Sequence, residues 1–314
     1  MSNYLLSICI PTNGVSRWVV PNVRQIYSFG TNNEIFEVVV ADNAPNEEME
    51  AAMAEFSKYP NFRYVKTKAE GFYNIIENFV HAKGDFMIKI NHRCLMQKGS
   101  IEKIYQIGCE YIDKKPLIFL SNGNLRKGSR MEFDTFDGFL QELSYWSSLS
   151  EGLFFWKEDI ARVPEIQFAP MSPNVSLMFN SKTKDAFVID DFRFGGAQDS
   201  TGKYGYDVFY TFAVLYLDLV NQVRIEGYLS RDGFIKIKKD LSKWFRGIYL
   251  DMDVLGNNGN YVLKDLKQDM SVYYTQDEYY RMVLFVICCL LPKYLFRSAI
   301  KKVLKPILSL FARI

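Results

Sequence analysis

Three polar groups stand directly behind apolar runs in the first third of the chain: Pro11-Thr12-Asn13, Asp42-Asn43 and Asn91-His92-Arg93. Hydroxyl, amide and carboxylate groups can bind the hydroxyls and ring nitrogens of a polar ligand, and a guanidinium beside an imidazole can hold phosphate oxygens. Gly71 and Asn74 form a fourth group, at a predicted helix start, where backbone N–H groups face anions. Further along, Glu151, Asp190, Asp191 and Asp207 are carboxylates able to take a proton from a reacting hydroxyl. Each has an ordinary alternative. Asp and Asn are common in turns, a strand exit needs no ligand, and a surface acid is usually just solvated.

The elements that must position these residues follow from the spacing of apolar positions. Leu5 to Ile10, Phe36 to Val40, Phe62 to Val65 and Phe86 to Ile90 read as short buried strands. Between them lie helical patterns: one entered at Ser16, as its cap, and running through Val19, Val23, Ile26 and Tyr27, then Glu47 to Phe56 and Gly71 to Ala82. Strand and helix alternate four times within about a hundred residues, which predicts a mainly parallel sheet with helices on both faces. Ligands of such sheets sit beyond the carboxyl ends of the strands, where Thr12–Gly14, Asp42-Asn43 and Asn91–Arg93 fall. The middle reads as helix over Lys98–Ile112 and Phe136–Tyr145, and as strand over Leu117–Ser121, Gly152–Trp156 and Phe187–Asp190. Asp191–Gly205, rich in Gly, Asp and Ser, reads as a mobile loop; Tyr206–Val223 and Leu229–Leu250 read as helices. No internal repeat or low-complexity segment is evident.

At 314 residues and 48% apolar, the chain suits one large α/β domain with an appendage. Cys9, Cys94, Cys109, Cys288 and Cys289 have neither zinc spacing nor an even disulfide count, which fits a reducing compartment.

The ordered series of segments resembles family 2 glycosyltransferases of the GT-A fold over residues 4 to 96. Leu6-Ser7-Ile8-Cys9-Ile10-Pro11-Thr12-Asn13-Gly14 resembles that family's opening strand, and Val38-Val39-Val40-Ala41-Asp42-Asn43-Ala44 its second, where an acidic residue holds the nucleotide base. Asn61-Phe62-Arg63-Tyr64, then Gly71 and Asn74, then Ala82-Lys83-Gly84-Asp85-Phe86 look like the run into the metal-binding strand. The resemblance implies a GT-A domain over 1–225 and a helical extension over 226–314. It implies a nucleotide-sugar donor held by Pro11, Thr12, Asn13, Asp42, Asn43, Gly71, Asn74, Asn91, His92 and Arg93. Transfer with inversion to a hydroxyl needs a carboxylate base, and Asp191, which follows an apolar strand and opens a glycine-bearing loop, is the first choice, ahead of Glu151 and Asp190.

One position departs from the family. An Asp-x-Asp motif normally grips a divalent cation against the diphosphate, and two carboxylates are the chemical requirement. This chain has Asn91-His92-Arg93 there, so no metal cofactor is expected, and Arg93 with His92 is the expected substitute in neutralising phosphate charge.

The tail has its own logic. After Glu278 there is no acidic residue, while Arg281, Lys293, Arg297, Lys301, Lys302, Lys305 and Arg313 are basic, leaving about −5 on the remainder. Lys293, Arg297, Lys301 and Lys305 recur every four residues, with Phe296, Ile300, Val303, Ile307, Leu310 and Ile314 largely elsewhere around the helix. That pattern predicts a membrane-surface segment over 279–314, broken into pieces by Pro292 and Pro306. The uncharged run Met282–Leu291 is short of the about 20 residues a bilayer span needs. With no leader pattern behind Met1, the expectation is a cytoplasmic protein, peripheral on the inner face of the cell membrane. Its acceptor would be a glycan or lipid-linked glycan of bacterial surface polysaccharide (capsule or O-antigen) synthesis. Nucleic acid is not an expected partner: the rest of the chain is net acidic and carries no binding motif. The aromatic Tyr206–Val223 helix and the tail are surfaces that would serve a homodimer. The rival readings are a non-catalytic relative that binds a nucleotide sugar or a partner transferase, and a nucleotidyltransferase. Thr12–Arg17 is a poor phosphate loop for the latter.

Overall fold

The computed structural model describes residues 5–198, 205–257 and 261–297. Its contacts group the chain into two units, Met1–Ser200 with Leu219–Phe234, and Thr201–Asp218 with Ile235–Ile314. The expected domain boundary at 225 lies inside the second segment of the first unit.

The first unit is built on an eight-stranded sheet. Strands β1 (Leu6–Thr12), β2 (Phe36–Asp42), β3 (Phe62–Lys66) and β4 (Phe86–Lys89) form its first half in the order β3-β2-β1-β4, all parallel. The short β5 (Cys94–Met96) leaves the sheet, and β6 (Leu117–Leu120), β7 (Arg130–Phe133), β8 (Leu153–Trp156) and β9 (Phe187–Asp190) complete it as β8-β6-β9-β7. Of these, β8 runs antiparallel to β4 and β6, and β7 antiparallel to β9. Leu6, Ile8 and Ile10 lie in one buried cluster with Val19, Val23 and Ile26 of helix Ser16–Ser28 and Ile101, Ile104 and Ile107 of helix Ser100–Glu110. Cys9, facing the other way, donates to the Asn78 carbonyl of helix Asn74–Val80. Both faces are therefore covered, as the apolar β-branched strands require.

Several local expectations change. The first helix is capped by Val15 without a side-chain bond, and the Ser16 hydroxyl instead donates to Glu48. β1 runs past the expected end at Ile10, with Pro11 paired to Ala41 and Thr12 to Asp42 inside it. The segment expected to be a mobile loop contains β10 (Gly195–Ala197), which pairs antiparallel with β5; the rest of that loop, 199–204, lies outside the described residues.

The second unit is helical. Residues Tyr210–Tyr216 form a π-helical turn, and most of the long helix Arg231–Tyr249 belongs to this unit. Phe209 packs on Phe245 at 4.6 Å and Phe212 on Trp244 at 5.0 Å between ring centroids. Asp207 accepts hydrogen bonds from the N–H groups of Phe209, Tyr210 and Lys264, so it works as a helix cap.

A last helix covers Gln276–Arg297, 22 residues. Its start is set by a capping box between Thr275 and Glu278. Two expectations fail here. The helix passes through Pro292, with a wider π-turn at Val286–Leu290 directly before it. It is also long and apolar enough by length and composition to cross a bilayer, because charged residues interrupt the apolar run only near its ends. The remainder of the expected basic tail, 298–314, lies outside the described residues.

Candidate active site

The carboxyl edge of the sheet is built by register. Thr12 pairs with Asp42, Asp42 with Lys66, and Cys9 with Lys89, so the three polar groups of the first half emerge side by side. Gly14, at φ +88°, lets the β1 exit press against the β2 exit: a Cβ there would meet Ala44 Cβ at 2.5 Å.

Asp42 is fully buried and accepts three hydrogen bonds. Oδ1 accepts from the Ala44 N–H at 2.9 Å, and Oδ2 accepts from Tyr64 Oη at 3.0 Å and Lys66 Nζ at 2.9 Å. The Lys66 amine and the Tyr64 ring are the more exposed members of this group. Asn43 donates to the carbonyls of Ala69 and Gly71, tying the β2 exit to the exposed Gly71 turn at φ +53°. Asn74 is buried; Nδ2 donates to the Thr12 and Ala41 carbonyls, both at 2.9 Å, and Oδ1 accepts from Thr67 at 2.7 Å. Its amide is spent on joining β1, β2 and the β3 exit. Pro11 is half-buried and Asn13 exposed at the same edge.

The group after β4 is held as a unit. Asn91 Oδ1 accepts from the Arg93 N–H at 3.0 Å, and the Asn91 carbonyl accepts from buried Asn22. His92 Nδ1 lies 3.1 Å from Thr12 Oγ1, and its ring is 5.2 Å from that of Trp18. The Arg93 guanidinium carbon sits 3.6 Å from the Trp18 ring centre, a close cation–π contact. Gln198 fixes both: its N–H donates to the Arg93 carbonyl at 2.7 Å and its amide to the Trp18 carbonyl at 3.0 Å. Burial, with the nearby cations Lys89 and Arg93, pushes the His92 pKa down to about 3. His92 is therefore neutral at ordinary pH, and the positive charge belongs to Arg93 and to Lys89.

Among the described residues no three His, Cys, Asp or Glu side chains converge as a metal-binding group. At the position of the family's cation the donors are an amide already in use, a neutral imidazole and a guanidinium. This set does not fit a hard divalent cation.

Two carboxylate sites lie across the second half of the same edge. Asp191, the first-choice base, is 2% exposed. Oδ1 accepts from Ser121 Oγ and the Leu125 N–H, and Oδ2 from the N–H groups of Lys127 and Gly128. Burial alone would raise its pKa; these four donors outweigh that and hold it below the ordinary carboxylate range. Asp191, the expected base, thus organises the loop after β6, with its four acceptor positions engaged by donors of that loop and of Ser121. Asp190 is likewise engaged, by Arg130 Nε at 3.0 Å and the Phe192 N–H at 3.2 Å.

Glu151 differs. It precedes Gly152, whose φ of +76° and contact with Leu120 exclude any side chain: a Cβ would lie 1.8 Å from the Leu120 carbonyl oxygen. The Gly152 N–H donates to Lys89 and its carbonyl accepts from Leu120, pinning Glu151 between the ends of β4 and β6. Its carboxylate meets the Cys94 thiol, while buried Oε1 has no hydrogen-bond partner. Burial raises its pKa above the usual range, against the opposing pull of Cys94 and Lys89. Burial also lowers the Lys89 ammonium to about 8, with Glu151 pulling it back up. Sequence reasoning missed Lys89, Trp18 and Cys94. An isolated Lys at the end of an apolar strand was the available signal for the first.

The sequence matches no family model and no curated protein. The fold, by contrast, is similar to solved structures. S. aureus TarS 1–349 superposes with a TM-score of 0.57 at 11% identity, over 79% of this chain and 75% of that one. Its complex with UDP-GlcNAc gives 0.57 at 14%, over 79% and 76%. The mannosyltransferase PcManGT from Pyrobaculum calidifontis, in complex with GDP-Man and Mn2+, gives 0.53 at 12% identity, over 96% of this chain and 87% of that one. Identities this low show a shared architecture: the mainly parallel, helix-flanked sheet expected from the alternation of strand and helix, in the GT-A form that the resemblance implies.

Proposed function

We propose that this protein transfers a sugar from a nucleotide-diphosphate donor to a hydroxyl acceptor, with inversion and without a metal ion. The observation that carries the reading is the Arg93–Trp18 stack beside Thr12 and His92, which puts fixed positive charge at the carboxyl edge of a GT-A sheet. Structures of similar fold hold UDP-GlcNAc and GDP-Man, which supports a nucleotide sugar as the donor.

The chemistry is a single displacement. The acceptor oxygen attacks the anomeric carbon, the bond from that carbon to the phosphate oxygen breaks, and the nucleoside diphosphate leaves with the electron pair. Arg93, with Lys89 behind it, stabilises the charge that develops on the leaving group, the task a cation performs elsewhere. Neutral His92 and Thr12 offer hydrogen bonds without adding charge. Glu151 takes the acceptor proton: its unpartnered Oε1 and raised pKa suit a general base better than the saturated Asp191. The acceptor is a glycan or lipid-linked glycan in bacterial surface polysaccharide synthesis, reached from a peripheral position on the cytoplasmic membrane face.

A thermal-shift screen with UDP-, GDP-, CDP- and dTDP-sugars, each with EDTA or Mn2+, tests the donor assignment. Stabilisation by one nucleotide class that survives EDTA is the expected result, followed by nucleoside diphosphate release with acceptor. Binding without release would favour the non-catalytic alternative, and pyrophosphate release a nucleotidyltransferase.

A further inference from the structure

The helix Gln276–Arg297 carries a surface that the protein itself leaves open. Met282 and Val286, four residues apart, are buried, so one face is committed to the second unit. Other apolar side chains of the helix are exposed: Leu284 is 58% exposed, Ile287 45%, Leu295 55% and Phe296 68%. Only 11% of the helix's most apolar 18-residue stretch is buried. Large apolar side chains exposed in this number on one helix point to an interaction surface.

Charge decides the occupant. Between Leu284 and Pro292 the helix carries no charge, and the ionic groups flanking this run are Arg281 on one side and Lys293 and Arg297 on the other. The long neighbouring helix adds Arg246, whose guanidinium carbon lies 4.3 Å from the Phe285 ring centre. A parallel second copy on this face would bring cations against cations, and an antiparallel one would set Lys293 and Arg297 against the first turn, where Glu278 is already paired with Lys238. A bilayer with anionic headgroups satisfies both parts, taking the apolar face into its acyl boundary and pairing the flanking cations with phosphate. A spanning orientation would need lipid on every side, and Met282 and Val286 already face protein.

We infer that Gln276–Arg297 lies in the plane of an anionic lipid surface, with Leu284, Ile287, Leu295 and Phe296 inserted in one leaflet and Arg281, Lys293 and Arg297 at headgroup level. The inference builds on the membrane attachment proposed above and replaces the basic stripe by an uncharged face as its anchor. It does not depend on the sugar chemistry.

Flotation of the full chain with phosphatidylglycerol/phosphatidylcholine vesicles tests it, beside phosphatidylcholine vesicles alone. The expected result is flotation with the anionic vesicles, weakened at least tenfold for Leu284→Glu/Ile287→Glu and several-fold for Lys293→Glu/Arg297→Glu. The donor-induced thermal shift, measured without vesicles, should be unchanged in both variants, which verifies folding and keeps failure here separate from failure of the transferase reading. Wild-type protein that stays at the bottom of the gradient would overturn the inference, as would undiminished flotation of Leu284→Glu/Ile287→Glu. So would sedimentation showing a lipid-free wild-type dimer that this variant abolishes, since the face would then belong to a second copy.

Discussion

The loop after β9 and the junction of β4 with β8 both present a carboxylate at the carboxyl edge of the same sheet, and they use it in opposite ways. Asp191 gathers four donors and is held below the ordinary carboxylate range. Glu151 is pinned by a glycine that admits no side chain, keeps one buried oxygen without a partner and is raised above that range. Position at a strand end does not make a base. The hydrogen-bonding capacity left over also counts, and it depends on neighbours far away in sequence, such as Ser121 for Asp191 and Cys94 for Glu151.

The sharpest way to break this contrast is to neutralise each acid. Glu151→Gln should lower turnover by roughly 10²–10⁴, the range a positioned proton acceptor supplies, with the donor thermal shift retained. Asp191→Ala strands the N–H groups of Leu125, Lys127 and Gly128, and should lower stability by about 3 kcal/mol in urea unfolding. Equal loss of turnover in the two variants at equal stability would erase the distinction. Activity should also fall on acidification at a pH above the ordinary carboxylate range, because raised Glu151 must be ionised to accept a proton; a pH–rate profile of Glu151→Asp against wild type checks this.

Smaller effects sharpen the first half of the edge. Arg93→Lys keeps the charge but loses the planar stack on Trp18 and the bidentate geometry, and should weaken donor binding by roughly tenfold in titration calorimetry. His92 has a folded pKa near 3, below its unfolded value. The unfolded chain therefore binds the extra proton between these two values, and stability is lost as pH falls from about 6.5 towards 3. His92→Asn should flatten that part of the stability–pH curve.

Much of this architecture was legible beforehand. The alternation of short apolar runs with helical patterns placed β1 to β4 and the polar exits behind them, and Phe187–Asp190 was read at its observed ends. Arg130–Phe133 escaped because two of its four residues are charged and break the apolar run, and the β5–β10 pair because its strands are three residues long and one of them is Gly-Gly-Ala. Within the site, the edge positions of Asp42, Asn74 and Asp191 followed from pattern, but the engagement of their side chains did not. It arises from Lys66, Thr67 and the loop after β6, whose approach is a tertiary fact. The last helix extends further than its uncharged run for a related reason: counting only uncharged residues leaves out the turns at both ends, which carry Asp277, Glu278, Arg281, Lys293 and Arg297.

The central claim is that fixed cations take the place of a metal at the donor diphosphate. Calorimetric titration of the preferred nucleoside diphosphate with wild type and Arg93→Ala, in EDTA and again in Mn2+, tests it most directly. The account predicts wild-type affinity that is the same in both buffers and at least tenfold weaker binding by Arg93→Ala in each. Binding by wild type that appears only with Mn2+, and that Arg93→Ala leaves intact, would contradict it.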